Sequence, residues 1–128
     1  MNYKIIFPLL LILTSACNRT DKNENTAGKG GAATLHITPQ HHGKNIKNAT
    51  IYIKYNATDA PASFDDSAKC VLADTVPVAS FTQLKTGNYY LYGKGYDSAI
   101  LQTVEGGINY RIEEEKEISI FIPVTEGD

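Results

Sequence analysis

From Thr34 onward, short runs in which apolar and polar residues alternate are separated by turn signals, mostly glycine, proline, asparagine or aspartate, so this part of the chain reads as β-structure. Ala49 to Tyr55 (ATIYIKY) is the clearest case: Ile51, Ile53 and Tyr55 share one face, Thr50, Tyr52 and Lys54 the other. Thr34 to Thr38 alternates in the same way, with Leu35 and Ile37 together and Pro39 expected to end the strand. Lys69 to Asp74, Val78 to Leu84 (with Pro77 before it), Tyr89 to Lys94, Ile100 to Val104, Ile108 to Glu113 and Ile118 to Val124 read as further strands. Turns are expected at Lys85 to Asn88, at Lys94 to Ser98 and, hairpin-like, at Glu105-Gly106-Gly107. Glu113 to Glu117 reads as a charged turn that protects an edge hairpin, and residues 56–68 as a long polar loop. No helical periodicity competes. The pattern predicts an all-β domain over residues 34–126, a seven- to eight-stranded antiparallel β-sandwich.

The first residues carry a different message. Met1 to Lys4 holds one positive charge, Ile5 to Leu13 is apolar, and Thr14-Ser15-Ala16 is small and uncharged before Cys17. These are the three regions of a secretory signal, and the apolar run is about half of the ~20 residues a spanning helix needs. Thr14-Ser15-Ala16-Cys17, with Leu13 one place early, resembles the lipobox of bacterial lipoproteins in the looser form found in Bacteroidota. The resemblance implies a signal peptide over residues 1–16 and acylation of Cys17, with membrane lipid as its partner. Residues 17–33 then read as the lipidated cysteine and a flexible linker, since 18–33 contain no large apolar residue.

Loss of Lys4 with the signal leaves 11 basic against 14 acidic residues, a mild balance that argues against a nucleic-acid partner. Cys70 remains besides Cys17; with Cys17 on lipid no intramolecular disulfide is possible, and Cys70 reads as a buried structural thiol.

Phe81-x-x-Leu84-x-x-Gly87-x-Tyr89-x-Leu91 resembles the signature of prealbumin-like (transthyretin-like) domains, among them carboxypeptidase regulatory-like domains. Phe81, Tyr89 and Leu91 are expected to point into the core from two adjacent strands, with Gly87 in the turn between them. Gly43-x-x-Ile46-x-Asn48-Ala49-x-Ile51 resembles the start of that family's second strand. Asp74-Thr75-Val76-Pro77-Val78 departs from the family, which places a glycine there, so a differently shaped turn or an edge position is expected. Gly93-x-Gly95-Tyr96-Asp97 and Ile122-Pro123-Val124-Thr125-Glu126 resemble segments of small Bacteroidota lipoproteins of unassigned activity.

Candidate chemistry is sparse. His36, His41 and His42 lie close in sequence; His41 and His42 are the candidate metal ligands, although a solvated loop pair is the plainer reading. Asp59, Asp65 and Asp66 match no calcium-loop spacing. Tyr52, Tyr90 and Tyr92 are expected to face outward as an interaction patch for a protein or glycan, or as ordinary cross-strand pairs. Asp66-Ser67-Ala68, Asp74-Thr75-Val76 and Asp97-Ser98-Ala99 resemble the O-glycosylation pattern of exported Bacteroidota proteins, which implies Ser67, Thr75 and Ser98 as acceptors. Serine-hydrolase, metalloprotease and Cys/His patterns are missing, and no cofactor is expected. The expectation is a non-enzymatic, lipid-anchored binding or assembly module of the cell envelope, at the outer membrane on its periplasmic or surface face. The alternative is a ligand or metal carrier using the His41/His42 region and loop 56–68.

Overall fold

A computed structural model of the chain describes residues 26–127; the expected signal peptide over residues 1–16, Cys17 and residues 18–25 of the expected linker lie outside the described residues. Two five-stranded sheets pack face to face as a β-sandwich. The first contains β1 (Lys29–His41), β2 (Lys44–Asn45), β5 (Val71–Ala73), β6 (Val76–Leu84) and β9 (Glu117–Pro123). The second contains β3 (Asn48–Tyr55), β4 (Asp66–Lys69), β7 (Gly87–Asp97), β8 (Gln102–Ile112) and β10 (Thr125–Glu126). Neighbours pair antiparallel except β1 and β9, which run parallel from Thr34↔Glu117 to Gln40↔Pro123.

The core is built from period-two rows. Leu35 and Ile37 on β1, Ala79 and Phe81 on β6, Ile51 and Ile53 on β3, and Tyr89 and Leu91 on β7 all face inward and are buried. Phe81 therefore meets Tyr89 and Leu91 as expected, but from the opposite sheet rather than from an adjacent strand. Lys85 and Thr86 carry the chain from one sheet to the other. Gly87 follows at φ +140, where a Cβ would stand 2.7 Å from the backbone nitrogen of Ala27.

Several boundaries differ from the sequence expectation, each for a local reason. β1 starts at Lys29, so residues 29–33 are strand rather than linker, and Ala33 is fully buried. β1 also runs through Pro39 to His41. The Pro39 carbonyl accepts from the Ile46 N–H, so the missing proline N–H faces Ile46 and not the β9 ladder. The stretch Lys69 to Asp74 is two strands: at Cys70 the chain leaves the second sheet for the first. Pro77 lies buried inside β6, opposite Leu72 of the short outer strand β5, and Asp74 supplies the left-handed turn residue at φ +57. The expected break at Lys94 to Ser98 is strand up to Asp97, the turn falling instead at residues 98–101, and Glu105 to Gly107 lie inside β8; β7 and β8 pair from Gly87↔Ile112 to Asp97↔Gln102. Their glycines mark close approaches. A Cβ on Gly95 would lie 2.7 Å from the Ala49 Cβ, and one on Gly106 2.5 Å from the Pro123 carbonyl oxygen.

The end where the chain enters is held by Tyr89. Its hydroxyl accepts from the Gly28 N–H at 2.8 Å and donates to the Lys85 carbonyl at 2.8 Å, deep in the core. Tyr89→Phe leaves the Gly28 N–H without this partner and should cost about 1–3 kcal/mol in urea denaturation. A loss below a few tenths would show that the hydroxyl does not tie the entering chain down.

Candidate functional site

The inward rows of three strands end in polar residues, and those residues meet. On β1 the row Leu35, Ile37, Pro39 ends at His41; on β7 the row Leu91, Gly93, Gly95 ends at Asp97; after β9 the row Ile122, Val124 ends at Glu126 on β10. Gly93 and Gly95 let the sheets close in: a Cβ on Gly93 would stand 2.8 Å from Ile122 and 3.3 Å from Val124. In the narrowed end, His41 Nδ1 lies 2.8 Å from Asp97 Oδ2 and His41 Nε2 lies 2.5 Å from Glu126 Oε2. The expected solvated pair is thus corrected: His41 is only 3% exposed, because the alternation of β1 carries it inward, whereas His42 is exposed.

Ionised carboxylates only accept hydrogen bonds, so both ring nitrogens of His41 are satisfied together when each carries a proton. The Asp97 bond, then the Glu126 bond, hold the His41 pKa above its usual 6.5, against burial, which acts the other way. Asp97 is held below its usual 3.8, first by His41 and then by the Ala99 N–H. Glu126 is held below 4.5, first by its own backbone N–H and then by His41.

His42 is placed by the turn. His41 pairs with Lys44, so His42 and Gly43 form a two-residue hairpin loop with φ +47 and +76, the left-handed pattern of the tight turns that suit twisted strands. Consecutive residues of an extended strand point to opposite faces; the left-handed backbone at His42 brings its ring to 4.2 Å from that of His41, centroid to centroid. One ligand atom each from His41, His42 and Glu126 fall within 4.8 Å of one another, the one such group among the described residues. A cavity of about 270 Å³ lined by Gln40, His41, His42, Gly43, Phe121 and Pro123 opens beside them.

The expected loop 56–68 is loop only to Asp65, since residues 66–68 belong to β4, and it does not join this site. It leaves β3 after Tyr55, which pairs with Tyr89, whereas Asn48 at the other end of β3 pairs with Tyr96 next to Asp97. Asp65 caps the Tyr55 N–H at 2.7 Å and lies 3.4 Å from the Lys54 ammonium. Asp59 is exposed. His36 is used structurally across the first sheet, its ring nitrogens 2.7 Å from Ser80 Oγ and 2.7 Å from Glu117 Oε1.

The tyrosines lie on the outer face of the second sheet. Tyr52 and Tyr92 stand side by side at 6.0 Å, and Phe64, which the sequence reading passed over, closes a three-ring cluster at 5.4 and 5.6 Å from them. Tyr90 instead covers Gly107, where a Cβ would meet its hydroxyl at 2.5 Å. The Tyr92 hydroxyl donates to Glu105 at 2.6 Å. Ser67 lies in β4 opposite Tyr52, Thr75 in the β5–β6 turn and Ser98 beside Asp97; all three are exposed. Cys70 is half-buried against both core clusters, and burial pushes its thiol up to about 11.

Two consequences are measurable. A raised histidine pKa adds stability that is complete below the unfolded value and fades as pH rises through the folded one; lowered carboxylate pKa values add stability that fades as pH falls through theirs. The stability gap between wild type and His41→Gln, measured by urea unfolding in chelator, should therefore be widest between the usual carboxylate and histidine values, 4.5 and 6.5, and narrow on both sides. A gap flat from acid to alkali would mean the buried ring carries no charge. Alkylation of Cys70 should be at least ~10-fold slower in the folded chain than in urea at the same pH; equal rates would mean an exposed thiolate.

No family model and no curated protein matches this chain.

Proposed function

We propose that the chain is a lipid-anchored, non-enzymatic binding or assembly module of the cell envelope, built on a prealbumin-like sandwich and held at the outer membrane through acylated Cys17. The observation that carries this reading is the outward cluster of Tyr52, Phe64 and Tyr92. Three aromatic rings packed on a flat sheet face and rimmed by Asp65, Asp66, Ser67 and Glu105 have the composition of a recognition surface, aromatic at its centre and polar at its edge. Packing the rings against each other restricts them before a partner arrives, which lowers the entropy cost of binding. The partner class is an envelope protein or glycan, both of which present surfaces that aromatic side chains cover well.

The anchor suits this use. The described residues begin at Thr26, whose hydroxyl donates to the Thr86 carbonyl, and Gly28 follows on the Tyr89 hydroxyl, so this end and the His41 end lie at opposite ends of β1. Residues 17–25 extend at most about 30 Å, enough to hold the sandwich near the membrane at high effective concentration. Each buried methylene of an acyl chain contributes about 0.8 kcal/mol to that hold.

The test is capture from detergent-solubilised envelopes by the C-terminally tagged chain, with co-purified protein and carbohydrate both quantified. Wild type should retain a specific partner, and Tyr52→Ser with Tyr92→Ser should lose most of it while the urea midpoint stays near wild type. Cys17→Ala should move the chain out of the membrane fraction. Capture unchanged by the tyrosine substitutions, or nothing enriched by any form, would overturn the reading.

A further inference from the structure

His41, His42 and Glu126 have the chemistry of a metal-binding half-shell, and the structure around them is what such a shell requires. Two imidazoles and one carboxylate form the donor set of borderline divalent transition metals, whereas calcium and magnesium require oxygen ligands. A ligating histidine ordinarily gives its second ring N–H to a carboxylate, which fixes the tautomer and aims the other nitrogen. His41 has that arrangement: Asp97 holds Nδ1 at 2.8 Å, leaving Nε2 directed at Glu126.

His42 adds a second, independent observation. Its left-handed backbone, φ +47, is uncommon outside glycine, asparagine, aspartate and histidine, and its effect is to turn an imidazole toward His41 that an extended strand would send to the far face. Glu126 is 44% exposed at the side chain and belongs to the two-residue β10, and His42 sits in an open turn, so both can adjust around an ion. Zinc bonds run about 2.0–2.2 Å to nitrogen and oxygen. Tetrahedral ligands at those bond lengths stand about 3.4 Å apart, so the Nε2–Oε2 separation of 2.5 Å has to widen and the spread of up to 4.8 Å has to close by roughly 1.4 Å through His42 and Glu126.

We propose that His41 Nε2, His42 and Glu126 form a site for a divalent transition metal of the zinc class, with Asp97 as the positioning residue and the remaining coordination position open to solvent. The ion takes the place of the proton between His41 Nε2 and Glu126, which is released to solvent as the metal binds. It joins the β1–β2 hairpin of the first sheet to the last strand of the second, so occupancy stiffens the end of the sandwich opposite Gly28 and Tyr89. This site is independent of the aromatic face, and its failure would leave the binding-module reading untouched.

The experiment is calorimetric titration of the mature chain in detergent, stripped with chelator, with zinc sulfate and, in parallel, calcium chloride. One equivalent of zinc should bind with a dissociation constant in the micromolar range or tighter, raise the thermal midpoint, and meet no calcium response. His42→Asn, which suits the left-handed turn position, should keep the metal-free thermal midpoint near wild type; it and Glu126→Gln should each weaken zinc at least ~10-fold, and Asp97→Asn should weaken it ~10–100-fold without removing a ligand. Zinc stoichiometry well below one per chain, or wild-type zinc affinity in His42→Asn, would overturn the proposal.

Discussion

Burial of one face of each sheet against the other is the constraint on which the rest of the molecule depends. Leu35, Ile37 and Phe81 from the first sheet and Ile51, Ile53, Tyr89 and Leu91 from the second are removed from water, each fully buried apolar side chain contributing about 1.5–3 kcal/mol against the entropy of ordering the chain. A slip of any strand by one residue would turn its whole row outward, so the register follows from the row. Once the rows are set, whatever residue stands at the end of a row is also delivered inward, whether or not it is apolar.

That delivery explains both ends of the sandwich. At the end where the chain enters, Tyr89 reaches Gly28 and Lys85 and satisfies their backbone groups inside the core. At the opposite end His41, Asp97 and Glu126 arrive from three strands, and the two bonds to carboxylates offset the cost of burying an imidazole. Glycines 93 and 95 make this possible, because any larger inward residue on β7 would hold Ile122, Val124 and Ala49 away. The last segment matters most here: it pairs with β1 in the first sheet as β9 and with β8 in the second as β10, so Glu126 comes back over His41 at the corner.

The fold class and the outward tyrosines were legible because period two is a local property. Ile51, Ile53 and Tyr52 declare their faces within one strand, whatever lies across from it. The His41 site was half legible. Continuing the Leu35/Ile37 alternation past Pro39 places His41 inward, but a proline reads as a strand end unless one knows that its missing N–H faces away from the parallel neighbour. Asp97 was hidden likewise: Lys94 to Ser98 read as a break, and only the pairing with β3 and β8 shows that residues 94–97 are strand. Phe64 had no signal at all, since a lone aromatic in a polar loop carries no period.

By itself, then, the sequence determined where most of the strands lie, which face of each is apolar, and that the product is a sandwich, because alternation and turn chemistry act over a few residues; it did not set their ends. It also carried, through the residues around Cys17, the expectation of a lipid anchor. Tertiary structure alone decided that Phe81 and Tyr89 face each other from opposite sheets, that β1 and β9 run parallel, and that residues 41, 97 and 126 converge. Those are matters of which strands become neighbours, and a choice made between segments up to 85 residues apart leaves no mark in the local pattern of either one.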